Sequence, residues 1–480
     1  MTKQEKQQQI LDFIDRNESL FTKVSRFIWE HPELSLKEFK ATECYTKILR
    51  DNGFTVETGL GGMKTAFCGR FGQGRPVIGF LGEYDALSGL SQKHGSFVPD
   101  PVVPGGAGHG CGHNLLGAGS LAAAFAVKHY LEQTGSSGTV VFYGCPGEEG
   151  GAGKAFLARD DYWRKLDAAF TWHPGDVNEV VSGTNNSCIQ VLYRFHGTAA
   201  HAAGDPENGR SALDAVELMN TGVQYLREHM STDCRIHYAI TDTGGVSPNV
   251  VQANAAVLYM VRANKVEDSV KLLARVDRIA QGAAWMTETE YERVFIDGTA
   301  EIVPNFALED LLYRSFLEVG VPSYTEEEMK FAEAVKKTCP ICPSPGIGAD
   351  FDEQAKAFSM RMSENGSVPI NGFLCPVVHT TGFVPGSSDV GDVSWQTPTA
   401  QIHVSAFISG APGHSWQNVA AAGSSIGEKA MLTAGKVLAL SAIALLEDPD
   451  LLEKAQTEFD ERTKAGYVCP IEPGAVPCAI

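Results

Sequence analysis

The chain has 480 residues and a net charge of −19, from 39 Lys and Arg against 58 Asp and Glu. Hydrophobic residues make up 43% and charged residues 20%, a globular composition that excludes wholesale disorder. The length predicts two or three domains with ample core, and the acidic balance argues against nucleic acid and anionic membrane as partners.

The opening MTKQEKQQQI lacks an apolar core and reads as no signal peptide. Apolar runs such as 437–446 fall short of the ~18–20 residues that span a bilayer. Eleven scattered cysteines, an odd number, read as reduced thiols in a cytoplasm.

Up to about Gly53 the pattern is helical. Ile10, Phe13 and Ile14 recur at helical spacing, as do Phe27 and Ile28, then Tyr45, Ile48 and Leu49. His31-Pro32 breaks the first run. Residues 77–81 form a near-continuous apolar run, the pattern of a strand covered on both faces. The Ala- and Leu-rich stretch 115–131 predicts a buried helix, 139–144 a strand, 157–163 a short helix and 167–172 a third strand. That alternation predicts an α/β fold with a mostly parallel, doubly covered sheet.

The pattern changes near Ser187. Strand 189–195, helix 211–230, strands 235–241 and 255–261, helix 266–285 and strand 291–296 follow in β-α-β-β-α-β order. This is the ferredoxin-like arrangement. The organisation expected is therefore a first part of the main domain over 1–186, an inserted α+β domain over 187–300, and a second part over 301–480. A long helix at 424–446 and a loop or tail close the chain.

Three expected strands carry acidic, imidazole or thiol groups at or beyond their carboxyl ends, where open parallel sheets bind ligands. Glu83-Tyr84-Asp85 reads equally as a metal or ligand contact and as a helix cap or loop charge. In Gly108-His109-Gly110-Cys111-Gly112-His113-Asn114, alternation turns Cys111 and His113 to one side. The helix start expected after them favours the thiolate that binds metal; His109 is the weaker candidate. Glu148 and Glu149 follow the second strand, and adjacent side chains there point apart. One can bind a metal while the other serves as a base. His173 ends the third strand and rests on the company it keeps. His414 sits in a loop-like Pro412-Gly413-His414-Ser415, with His403 a lesser rival. In the insertion, His201, Asn249 and Arg262 are donors suited to an oxyanion or a carboxylate. Cys339-Pro-Ile-Cys342 lacks a second pair at matching spacing and is set aside, as is the N-x-S site at Asn185.

HPELSLKEF, GHGCGHN, GCPGEEGG, FTWHPG, HAAGDPENGRSALDA, GGVSPNVVQANA, GSSDVGDVSW and APGHSWQN occur in this order over nearly the whole chain. The ordered set resembles the aminoacylase / carboxypeptidase-G superfamily of co-catalytic metallopeptidases, in its amidohydrolase branch. The resemblance implies a catalytic domain split by a lid or dimerisation domain, and two divalent ions, Mn or Zn. It implies Cys111 as bridge, Glu149 and His414 completing one site, and His113 and His173 the other. Glu148 would be the general base, and His201 would polarise the scissile carbonyl, reaching in from a partner's lid. Asn249 and Arg262 match substrate-holding positions. The activity implied is amide hydrolysis of an N-acyl amino acid such as p-aminobenzoyl-glutamate. Its alternatives are a dipeptidase of the same centre, or a subunit active only when paired, as homodimer or heterodimer. Where relatives carry H-x-D, this chain reads Glu83-Tyr84-Asp85, so that histidine ligand is missing and Asp85 is left without direct metal contact. Asn114 stands where the branch often has Asp.

Overall fold

The computed structural model describes residues 3–479. Three helices open it, Lys3–Arg16, Glu18–Glu30 and Phe39–Asp51. The first helical stretch is thus two helices, broken at Asn17, whose side-chain amide turns back to the Phe13 carbonyl.

The main sheet has seven strands: β1 (Thr55–Thr58), β2 (Phe67–Gln73), β3 (Val77–Gly82), β4 (Gly138–Gly144), β5 (Ala168–Gly175), β6 (Glu179–Val181) and, after a long excursion, β11 (Thr399–Ser405). Their order is β1-β2-β4-β3-β5-β11-β6. The β4-β3-β5-β11 centre is parallel. β2 and β6 run against it, and β1 runs against β2, so five of the seven strands point the same way. The edge strands β1 and β6, and β2 beside β1, are additions to the sequence expectation.

Successive residues of a strand face opposite sides, and here both sides are apolar. Phe80, Val140, Phe142, Phe170 and Trp172 pack with helix His113–Thr134. Leu81, Val141, Tyr143 and Ala169 pack with Phe156 and Trp163 on the other face. The sheet is therefore doubly covered, as its unbroken apolar strands require. The short helix on that second face runs over Gly153–Arg159, four residues before the expected start, and a separate turn Trp163–Lys165 follows. Helix Ser425–Glu447 lies along helix His113–Thr134. Gly435 allows the approach, since a Cβ there would sit 3.0 Å from the Gly119 carbonyl. Ser425–Glu447 is long and apolar enough to cross a membrane by length and composition, beyond the run read from sequence, but most of it is buried inside the molecule.

Between β6 and β11 the chain builds β7 (Ser187–His196), β8 (Arg235–Asp242), β9 (Asn254–Ala263) and β10 (Glu290–Thr299). They form a separate antiparallel sheet, β10-β7-β9-β8. Helices Ala212–Leu226 and Val266–Thr287 pack Met219, Val223, Val276 and Ala280 against Tyr193 and Tyr259. This β-α-β-β-α-β unit has its own core, distinct from that of the large sheet.

Candidate metal centre

The parallel strands deliver their reactive groups to one edge. Glu83 and Asp85 follow β3, Glu148 and Glu149 follow β4, and His173 lies near the end of β5. Cys111 precedes helix His113–Thr134, entered through Gly112 at φ +76, a left-handed turn natural to glycine. Gly110 has no room for a side chain. A Cβ there would meet Leu90 Cδ1 at 2.5 Å and the His414 backbone at 3.4 Å. That close approach brings His414 beside Cys111. His414 itself has φ +51, uncommon for a residue with a Cβ, and such strain concentrates at functional sites.

Two groups of ligand atoms result, and Cys111 belongs to both. Cys111, His113 and His173 converge within 4.8 Å, as do Cys111, Glu149 and His414. Cys111 Sγ is 3.3 Å from His173 Nε2, and His414 Nε2 is 3.6 Å from Glu149 Oε2. A third group joins Glu83, His113 and Glu148.

The electrostatics call for cations. Burial, then repulsion from Glu149, pushes the Cys111 thiol far up. Burial, then Glu83, Glu149 and Asp389, pushes Glu148 well above the usual carboxylate range. Burial, then His113, pushes His173 down to about 4, which leaves it neutral with a free lone pair. The nearby buried cation is Lys154, 2.6 Å from both Glu83 Oε1 and Asp389 Oδ1. His113 Nδ1 faces Asp85 Oδ1 at 2.8 Å, while His113 Nε2, Glu83 Oε2 and Glu149 Oε1 are buried without hydrogen-bond partners. Unpartnered buried polar atoms beside a thiol and the neutral His173 imidazole fit divalent metals.

The other sequence candidates sit elsewhere. His109 is buried, with Nε2 3.1 Å from the Ile28 carbonyl. Asn114 donates to Ser25 and to the Ala422 carbonyl. His403 is held by Glu179 at 2.9 Å. His201 and Asn249 are exposed on the second-sheet unit. His201 Nδ1 accepts from the Ala203 and Gly204 backbone N–H groups. Among the described residues no contact ties either to the Cys111 cluster. Arg262 Nη1 donates to Ser387 Oγ at 3.0 Å, on the loop that carries Asp389. All eleven cysteines are free. Sequence reasoning missed the Lys154–Asp389 pair; a lone lysine in the apolar helix Gly153–Arg159 was its one signal.

Residues 79–441 match the model of peptidase family M20/M25/M40. The chain is 44% identical to a subunit of the p-aminobenzoyl-glutamate hydrolase of Escherichia coli strain K12, covering 97% of each chain. It is 27% identical to Xaa-Arg dipeptidase of Mus musculus, over 91% of this chain and 88% of that one. A crystal structure of a dinuclear metal-binding M20 peptidase from Bacillus subtilis superposes with a TM-score of 0.53 at 17% identity, covering 90% of this chain and 99% of that one. With this fold, this strand-end cluster and these relatives, the chain belongs to peptidase family M20/M25/M40 and is a hydrolase of amide bonds.

Proposed function

We propose that the protein hydrolyses the amide bond of N-acyl amino acids, with p-aminobenzoyl-glutamate as the preferred substrate, at a centre of two divalent ions. The observation that carries the reading is the sharing of Cys111 between two ligand groups. Cys111, Glu149 and His414 would hold one ion, and Cys111, His113 and His173 would hold the other. When bound, Mn(II) or Zn(II) supplies a water of lowered pKa and Lewis acidity at the scissile carbonyl. Thiolate and imidazole favour zinc, and carboxylate oxygens favour manganese.

Glu148 takes the proton of the attacking water and returns it to the leaving amine. Burial and the neighbouring carboxylates raise its proton affinity, which favours the uptake step. His201 donates to the carbonyl oxygen as charge develops there. Its exposure on the second-sheet unit, away from Cys111, supports delivery from a neighbouring chain. Residues 187–300 then act as lid and pairing domain. Asn249 and Arg262 hold the substrate, Arg262 through its carboxylate. The E. coli relative carries the name of one subunit of its enzyme, which supports pairing with a related chain as well as with a second copy. Dipeptide hydrolysis is the second reading, favoured by the Xaa-Arg dipeptidase likeness.

The test is an assay of the purified chain, Mn- or Zn-loaded, against N-acyl amino acids and dipeptides. The expected result is fastest cleavage of p-aminobenzoyl-glutamate. Turnover only after a related chain is added supports the obligate pair. No amide cleavage in any of these forms overturns the reading.

A further inference from the structure

Glu83 follows β3 directly and is 2% exposed. Its two oxygens have different surroundings. Oε1 lies 2.6 Å from the Lys154 ammonium. Oε2 is buried with no hydrogen-bond partner, yet stands 3.2 Å from His113 Nε2, which is likewise without one.

The other face of the His113 ring explains the tension. Nδ1 is committed to Asp85, which leaves Nε2 as the ring atom free to bind a metal. Nε2 and Glu83 Oε2 face each other at 3.2 Å, and together with Glu148 they form a group whose ligand atoms lie within 4.8 Å of one another. A metal ion satisfies both atoms, because two ligands each about 2.1 Å from one ion stand roughly 3.0–3.5 Å apart.

Lys154 accounts for the aim of Glu83. It has no exposure, and it is fixed by Asp389 from two sides. Its ammonium lies 2.6 Å from Asp389 Oδ1, and its backbone N–H donates to Asp389 Oδ2 at 2.8 Å. A buried ammonium is costly unless its partners are well placed. Here the arrangement holds Oε1 and leaves Oε2 directed at His113.

We infer that Glu83 is a further metal ligand on the ion held by His113, and that Lys154 is the residue that positions it. The inference rests on the two-metal reading above. It fills the place of the histidine missing from the segment after β3. It also adds an oxygen to a nitrogen- and sulfur-rich site, which raises the coordination number and shifts preference from zinc toward manganese.

The experiment titrates metal-stripped full-length protein with Mn(II) and, separately, Zn(II), by calorimetry with elemental analysis. Wild type is compared with Glu83→Gln, Glu83→Asp and Lys154→Arg, and each is loaded with Co(II) for visible spectra. Wild type is expected to bind two ions. Glu83→Gln is expected to keep one at unchanged affinity and to weaken the other by more than the ~10–100-fold typical of losing an outer partner. Its Mn-to-Zn affinity ratio should fall, and its Co(II) bands should strengthen as coordination number drops. Lys154→Arg should weaken the same ion and leave the other alone. Two ions at wild-type affinity with unchanged Co(II) bands in Glu83→Gln would overturn the inference, and so would equal weakening of both ions. If Glu83→Gln does not fold by circular dichroism, Glu83→Asp decides, with unchanged affinity for both ions counting against the inference. Fewer than two ions in wild type would instead sink the two-metal reading, so the two failures are distinguishable.

Discussion

His113 and Asp85 form a pair closed to solvent, with Nδ1 2.8 Å from Asp85 Oδ1. Asp85 also accepts from Ser35 Oγ and from the Glu149 backbone N–H. Burial opposes its ionisation, yet His113, Glu149 and Ser35 hold it at about 2. One carboxylate thus fixes the tautomer of one proposed ligand and the backbone of another. Asp85→Asn should lower metal affinity about 10–100-fold with the fold retained. Metal titration checks this, and unchanged affinity would contradict it.

Glu148 is assigned the proton transfers and no metal. Glu148→Gln keeps its size and removes its basicity. kcat should fall by about 10²–10⁴-fold, while metal content stays at the wild-type value. Steady-state rates on protein of measured metal content decide it. A parallel loss of metal would make Glu148 a ligand instead.

Arg262 reaches from β9 to Ser387. If it anchors the substrate carboxylate, Arg262→Ala removes a charged hydrogen bond of about 1.5–3 kcal/mol. KM for p-aminobenzoyl-glutamate should then rise on the order of 10- to 100-fold. A substrate with that carboxylate amidated should show no such change. Equal effects on both substrates would remove Arg262 from recognition.

Asp392 lies away from the proposed ligands, buried between the Tyr467 hydroxyl at 2.7 Å and the Ala300 backbone N–H at 3.0 Å. Burial pushes it from 3.8 up to about 8. The folded state therefore binds its proton more tightly than the unfolded chain does. This contribution is fully present below about pH 4 and is lost as pH rises toward about 8. Wild-type stability should decline over that window, and Asp392→Asn should decline less. Urea midpoints at about pH 5 and about pH 8 measure it. An equal decline in both proteins would refute the assignment.

The central sheet was legible because β3, β4 and β5 are apolar without interruption, and each ends in groups that apolar strands do not carry. Cys111 and His113 were legible from their i, i+2 spacing among glycines. β2, FCGRFGQ, was not, because a strand with glycines and an arginine lacks that run. The helix over Gly153–Arg159 was misplaced because glycines at 150, 151 and 153 hide its start. His414 carries no local signal at all, and only the ordered motifs pointed to it. The Lys154–Asp389 pair joins positions 235 residues apart. No periodicity encodes such a pairing, since a buried charge is made tolerable by a partner that only the fold supplies.

The insertion of β11 between β5 and β6 has a consequence for synthesis. β5 ends at Gly175 and β6 at Val181, and the strand that separates them begins at Thr399. At ribosomal rates, roughly 10–45 s pass before that strand emerges. Until then the nascent half-sheet presents unpaired edges at β5 and β6, a template for wrong pairing. The second-sheet unit, whose strands all lie within Ser187–Thr299, is translated during this interval, and His414 arrives only after the gap is filled. Newly made chains held at that stage would be the ones most in need of a chaperone.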